Sequence, residues 1–111
     1  MLTLADVINA IEKNGLKKVK GSYITYDYDG TPNGGCAFGQ ATINLDIKET
    51  YDDGTAHYEP MTLSHMIKDA GVLDFPNRVY SMNDSTRWGL KRIAKELREE
   101  FANELETIIH P

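Results

Sequence analysis

The stretch Ser81-Met82-Asn83-Asp84-Ser85-Thr86-Arg87-Trp88, running on through Leu90 to Ile109, holds the longest periodic segment of the chain. From Leu90 the large apolar residues fall at Ile93, Leu97, Phe101, Leu105 and Ile108. Steps of three or four put all six on one helical face. Lys91, Arg92, Lys95, Glu96, Arg98, Glu99, Glu100, Glu104 and Glu106 fill the other side, with Arg92/Glu96 and Lys95/Glu99 as opposite-charge pairs four apart. No Gly or Pro interrupts the pattern after Gly89, and Asn83 or Asp84 offers an N-cap. The spacing predicts one continuous helix of about 24 residues, roughly 36 Å at 1.5 Å per residue. That rod exceeds what covering a small sheet requires, so Phe101, Leu105 and Ile108 are expected to overhang as an apolar end open to a second copy or to a host protein.

Working outward, the N-terminus repeats the pattern on a smaller scale. Leu2, Leu4, Val7, Ile8 and Ile11 share a face, Thr3 can cap the start, and Asn14-Gly15 supplies a left-handed stop. Lys17, Lys18 and Lys20 are too few for a nucleic-acid patch and read as the solvated start of a strand. Ser22 to Tyr28 alternates β-branched and aromatic residues, which predicts a strand. Asp29-Gly30-Thr31-Pro32-Asn33-Gly34-Gly35 is dense in turn residues and is expected to form no regular element. Its Asp-x-Asp-Gly start fails as a calcium loop, because Phe38 stands where the twelfth-position Glu is needed.

The next segment supports two readings. Small residues at Ala37, Gly39 and Ala41 permit close approach of another backbone, as a helix packed on a sheet or as a buried strand. Thr42 to Lys48 alternates with a period of two, which favours strand, so residues 36–48 stay open between the two. Asp52-Asp53-Gly54 then predicts a hairpin with an acidic tip, its second strand near Thr55 to Glu59. Thr62 is expected to cap a brief helix carrying Leu63, Met66, Ile67 and Ala70, ended by Gly71. Val72, Leu73 and Phe75 are assigned to the core, and Asn77 to Met82 to an extended segment.

With 111 residues, 41% hydrophobic and 26% charged, the composition is that of a globular chain and predicts a single α+β domain over 1–111. The expected architecture is a small antiparallel sheet packed by the N-terminal helix and the long C-terminal helix. The net charge of −5 is uneven. Between Gly21 and Pro60, Asp27, Asp29, Asp46, Glu49, Asp52, Asp53 and Glu59 face Lys48 alone, so seven carboxylates against one ammonium leave −6. Such a surface repels phosphate backbones, which excludes nucleic acid as a direct partner. It fits a basic groove on another protein, with Asp46, Glu49, Asp52 and Asp53 in the contact, and equally serves solubility. No stretch of eighteen apolar residues and no basic-then-apolar leader is present, so neither membrane insertion nor export is expected.

Cys36 is the only cysteine, which excludes an intrachain disulfide and fits a reducing, cytoplasmic setting. It follows two glycines where a helix can open, and a helix dipole there would favour thiolate. His57 or His65 as base and Asn83 or Asp84 as orienter would complete a cysteine hydrolase. Against this, a lone cysteine among Ala, Phe and Gly reads as a buried small residue. Histidine and cysteine spacings preset no metal geometry, and the glycines lack a phosphate-loop context, so neither metal nor cofactor is expected.

Cys36-Ala37-Phe38-Gly39-Gln40-Ala41, then Met82-Asn83-Asp84 and Leu90-x-x-Ile93-Ala94-x-x-Leu97, resembles a group of small uncharacterised phage and bacterial proteins. In that group a Cys-x-x-Gly-Ala segment, an Asn-Asp pair and an Ile-Ala-x-x-Ile/Leu helix follow a short N-terminal helix and a hairpin. This chain departs in having Gln40 where Ala is usual, and in an acidic insertion over roughly residues 47–59. The resemblance implies an α+β fold with a helix after Cys36 and a phage or prophage setting, and it carries over no catalytic residue. The reading that combines these features is a non-catalytic interaction module that binds a host protein or a second copy.

Overall fold

A computed structural model describes residues 1–13 and 16–111, so the stop assigned to Asn14-Gly15 lies outside the described residues. The chain is α+β, with five α-helices and three small sheets among the described residues. Strand β1 (Leu2–Thr3) leads into helix α1 (Leu4–Glu12), and Thr3 caps it as its side chain suggested. Thr3 Oγ1 accepts from Asp6 N at 3.3 Å, and Thr3 N returns a bond to Asp6 Oδ2 at 2.8 Å. Two of the otherwise free donors at this helix start are thus satisfied reciprocally. Leu4, Val7, Ile8 and Ile11 are completely buried.

Strands β2 (Lys17–Lys18), β3 (Ile24–Tyr26) and β4 (Pro32–Gly35) form one sheet in the order β2-β4-β3. Two expectations change here. The sheet is mixed, since β2 runs parallel to β4 while β3 runs antiparallel to it. The glycine-rich segment expected to be irregular is the central strand; only residues 27–31 turn, with Asp27 N bonding Thr31 O at 2.7 Å. Glycine is required at the centre by crowding. A Cβ on Gly34 would lie 2.9 Å from Lys17 O and from Thr25 Oγ1, and one on Gly35 only 2.5 Å from Tyr23 O.

Residues 36–48 resolve mainly as helix: α2 spans Ala37–Asn44, and the alternation from Thr42 is coincidental. Close packing overrides the strand propensity. Gly39 sits so near the sheet that a Cβ would meet Tyr23 O at 1.6 Å, and Thr42 turns its hydroxyl inward to Phe38 O at 2.9 Å. Gln40, the departure from the resembled pattern, is buried and bonds the carbonyls of Leu16, Lys17 and Gly35 at 3.0–3.1 Å. Asp46, with φ 56°, turns the chain out of α2. The hairpin turned by Asp52-Asp53-Gly54 follows, but its first strand is β5 (Lys48–Thr50) rather than the run from Thr42, and it pairs with β6 (Ala56–Tyr58).

Helix α3 (Pro60–Asp69) buries Leu63 and Ile67 and gives way at Gly71, whose φ is +94°. Its cap is Glu59, which accepts from Met61 N at 3.3 Å. Thr62, expected in that role, is already inside the helix and donates instead to Glu49 Oε1 at 2.8 Å. Val72 and Phe75 enter the core, whereas Leu73 is exposed. The supposedly extended Asn77 to Met82 belongs to helix α4 (Phe75–Ser85). Pro76 falls in its first turn, where proline is tolerated, and Phe75, Val79, Met82 and Asn83 form a buried stripe of helical period.

The long rod is not continuous. Helix α5 spans Leu90–Glu100, followed by a 3-10 turn (Ala102–Glu104) and strand β7 (Ile108–His110). Ile93, Ala94 and Leu97 are fully buried, so the face assignment holds for the helix that forms. Beyond it, β7 pairs antiparallel with β1, and the carbonyls of Thr107 and Leu105 accept from Leu4 N and Ala5 N at 3.0 and 2.9 Å. Those bonds satisfy donors at the start of α1 that a straight rod would leave free. Thr107, Ile108 and Ile109, β-branched in sequence, favour the strand. The apolar overhang disappears with the rod: Phe101 is buried edge-on against Phe75 at 5.1 Å, Leu105 is half-buried, and only Ile108 is exposed. No helix among the described residues is long and apolar enough to cross a membrane.

Gly39→Ala tests the close packing of α2. It is expected to destabilise the fold by about 3 kcal/mol or more, since the methyl meets backbone rather than a flexible side chain. Gly54→Ala, with open space around its Cβ and a left-handed φ, is expected to cost only about 1–2 kcal/mol. Equal urea midpoints for the two variants would refute the contact.

Candidate functional site

The hairpin is the first candidate. Asp52-Asp53-Gly54 closes it: Gly54, at φ +84°, donates to Tyr51 O at 2.9 Å, and Tyr51 N bonds Thr55 O at 2.8 Å. Asp53 Oδ1 accepts from Thr55 N at 2.9 Å and Thr55 Oγ1 at 2.6 Å. Those bonds, the hydroxyl first, hold the Asp53 carboxyl below its usual range. His57 Nε2 lies 2.7 Å from the same hydroxyl, and its ring stacks on Tyr51 at 4.4 Å. On the other face Lys48 stands 4.8 Å over the Tyr58 ring and pairs with Asp46 at 3.3 Å. Asp46 and every residue from Lys48 to His57 are exposed. Asp46, Glu49, Asp52 and Asp53 therefore share this one projection, whereas Phe101 follows α5, Leu105 is half-buried and Ile108 lies in β7.

The second candidate is a cleft of about 230 Å³ lined by Gly21, Ser22, Tyr23, Cys36, Tyr80 and Asp84. Cys36 is the N-cap of α2. Its Sγ accepts from Gly39 N at 3.3 Å, and its own N–H points to the carbonyls of Ser22 and Tyr23 at 3.2 and 3.1 Å. Its place at a helix start agrees with the sequence, and its burial agrees with the reading as a packed small residue; the thiolate that a helix dipole would favour does not follow. The residue is 4% exposed. Burial pushes the thiol above its ordinary value and outweighs the Gly39 N–H, while the Asp84 carboxylate adds to the rise.

Asn83 does cap a helix, though not the one that follows it. Buried within α4, it accepts from Ala37 N at 2.8 Å, which places its amide oxygen at the start of α2. Its Nδ2 donates to Val19 O and to Asp84 Oδ1, both at 2.9 Å, and its backbone carbonyl accepts from Lys18 Nζ at 3.0 Å. Asp84 also accepts from Gly21 N at 3.3 Å. One amide thereby ties α4, α2 and the end of β2 together. The sequence signal was present: Asn83 lies four residues after Val79 on an apolar helical face, and a buried amide there needs partners.

The hydrolase constellation does not assemble. No histidine lines the cleft. His57 is engaged with Thr55 and Tyr51 on the hairpin, and His65 is exposed on α3. Asn83 orients no imidazole; its amide is spent on backbone and Asp84. A protonated thiol without a base is a cap and a packing element. Tyr80 lines the cleft with a buried hydroxyl that makes no hydrogen bond of good geometry, with the Tyr23 side chain beside it. Burial, then the adjoining Tyr23, push its phenol far up. Among the described residues no three His, Cys, Asp or Glu side chains converge as metal ligands would.

No protein-family model, curated protein or solved structure matches this chain. The resemblance drawn from Cys36 to Ala41, Met82 to Asp84 and Leu90 to Leu97 therefore rests on those residues alone.

Two outcomes are expected at the cleft. Cys36 should react with Ellman's reagent on the timescale of unfolding, with no change in His57→Ala or His65→Ala; rapid labelling in the folded chain, lost in either variant, would restore the hydrolase. Cys36 and Tyr80 are acids with raised folded values, so they contribute stability below their ordinary 9.0 and 10.0 that is lost as pH rises past them. Tyr80→Phe, which removes an unpartnered hydroxyl, should leave stability at pH 7 unchanged or higher. It should also flatten the alkaline fall in denaturation midpoint; an unaltered fall would contradict the assignment.

Proposed function

We propose that this chain is a non-catalytic interaction module that docks on a basic surface of a partner protein through the hairpin β5–β6. The resemblance implies a phage or prophage setting, in which the partner would be a host protein. The observation that supports this reading is the hairpin's combination of exposure, order and charge. Asp46, Glu49, Asp52, Asp53 and Glu59 face Lys48 alone over residues 46–59, so five carboxylates against one ammonium leave −4. All but Glu59 are exposed. Internal hydrogen bonds hold the turn, so docking costs little ordering entropy. A concentrated negative field steers a positive partner and rejects others. The loss of the C-terminal overhang weakens self-association as the alternative, because Phe101 is occupied by Phe75 and Ile108 stands alone.

The test is charge reversal. Asp46→Lys, Glu49→Lys and Asp52→Lys combined, which keep the turn-holding Asp53, should leave the melting temperature within a few degrees, since exposed substitutions cost about 0.5 kcal/mol or less each. A partner captured by the wild-type chain at low salt should be lost by this variant and by wild type at high salt. Capture that survives both changes would overturn the proposal.

A further inference from the structure

The hairpin carries an exposed aromatic surface whose position is fixed by bonds that folding alone does not require. Tyr51 is 47% exposed, yet it stacks on His57 with 19° between planes. The imidazole is anchored in turn. Thr55 Oγ1 gives its single proton to Asp53 Oδ1, a carboxylate oxygen that can only accept. The contact of Thr55 Oγ1 with His57 Nε2 must then run the other way, so Nε2 carries a proton and donates. Aspartate, threonine and imidazole form one directed chain, and the Tyr51 ring rests on its end.

Two carboxylates neighbour this ring in register and sequence. Glu49 is opposite His57 in the ladder, which puts it on the same face as Tyr51. Asp52 follows Tyr51 directly and is exposed. Elsewhere the chain seats its own cations on rings in this way: Lys48 over Tyr58 at 4.8 Å, and the Arg92 guanidinium over Trp88 at 4.6 Å. Among the described residues no cation of this chain covers Tyr51.

Resting on the docking reading above, we propose that the Tyr51–His57 platform seats an arginine side chain of the partner, its guanidinium flat on the phenol ring and its N–H groups on Glu49 and Asp52. Arginine fits better than lysine because its cation is planar, weakly hydrated and forked toward carboxylates, so it can stack and pair at once. A lysine ammonium satisfies the charge without using the ring.

The experiment is an NMR titration of the full isotope-labelled chain with an acetylated, amidated peptide of alternating glycine and arginine, beside its lysine and citrulline counterparts. The arginine peptide should shift the Tyr51 and His57 ring signals and bind at least about fivefold tighter than the lysine peptide, a cation–π difference of ordinary size. The neutral citrulline peptide should not bind. Tyr51→Ala should weaken arginine binding about tenfold while Tyr51→Phe, which keeps the ring, stays within about twofold. Unchanged circular dichroism will show that each variant folds. Equal binding of arginine and lysine, unaffected by Tyr51→Ala, would overturn the arginine seat and leave carboxylate docking standing. Absence of shifts with the arginine peptide would overturn the seat as well. So would self-association that moves the same ring signals without peptide, which would make the occupant a second copy. Failure of the docking reading itself is reported separately, by the three-lysine hairpin that keeps Asp53.

Discussion

The carbonyl oxygen of Tyr23 sets the architecture, because nothing larger than hydrogen fits beside it. Gly35 and Gly39 both crowd that atom, and Cys36 N donates to it at 3.1 Å. The end of β4 and the first turn of α2 thus wrap around a single point at the start of β3. Once α2 is fixed there, its first N–H must find an acceptor in a region closed to water, and Asn83 supplies it from α4. An amide in that position is stabilising only if its remaining donor is also used, and it is, on Val19 O and Asp84. The Gly-Gly-Cys-x-x-Gly spacing and the distant Asn-Asp pair are therefore one structural device. Its chemistry is consumed by folding.

Much of this was legible in the chain, and the failures share a cause. Local rules read the N-terminal helix with its Thr3 cap, the acidic hairpin, the helix ended by Gly71 and the inward face of Ile93 and Leu97. They failed wherever a tertiary demand outweighed local preference. Turn residues at Pro32 to Gly35 became a central strand because only glycine admits Lys17, Thr25 and Tyr23 so close. The period-two run from Thr42 starts as helix, through Asn44, because Gly39 had already committed the backbone, and becomes strand only at Lys48. Asn83, read as the cap of the helix after it, caps a helix 46 residues earlier. Sequence distance hid the partner, although the chemistry was named correctly. For the candidate site, the acidic hairpin residues were read from the chain, whereas the Tyr51–His57 stack depends on ladder register.

The C-terminal tail shows how such a competition is decided. The apolar stripe continues at helical spacing through Leu105 and Ile108, so amphipathicity alone favours a longer helix. Continuing it would leave the start of α1 with free donors and Leu2 and Thr3 without a partner strand. Breaking at Phe101 instead lets Leu105 and Thr107 carbonyls meet those donors, and it buries Ile109 and Phe101. A few helical hydrogen bonds are exchanged for bonds of another kind, and the gain lies in the apolar area covered. The ends of the chain are tied together as a result. Arg98 reinforces the closure with a bidentate contact to Glu12, which holds that carboxyl below its usual range.

The two candidate sites therefore stand in opposite relations to the fold. Around Cys36 and Asn83 the bonds reach across the sequence, so any change of charge there disturbs three elements at once. The bonds that order the hairpin tip are local: the side-chain ones, Asp53 to Thr55 and Thr55 to His57, span two residues, and the backbone ones between Tyr51 and Gly54 or Thr55 span three or four. Its side chains tie back to the helical layer at Glu49 with Thr62 and through the Glu59 cap of α3. Local order with few ties to the core lets the tip carry repelling carboxylates and open rings without endangering the rest of the molecule. A surface so loosely tied to the core is free to be shaped by what it meets, whereas the cleft is held in form by the fold itself.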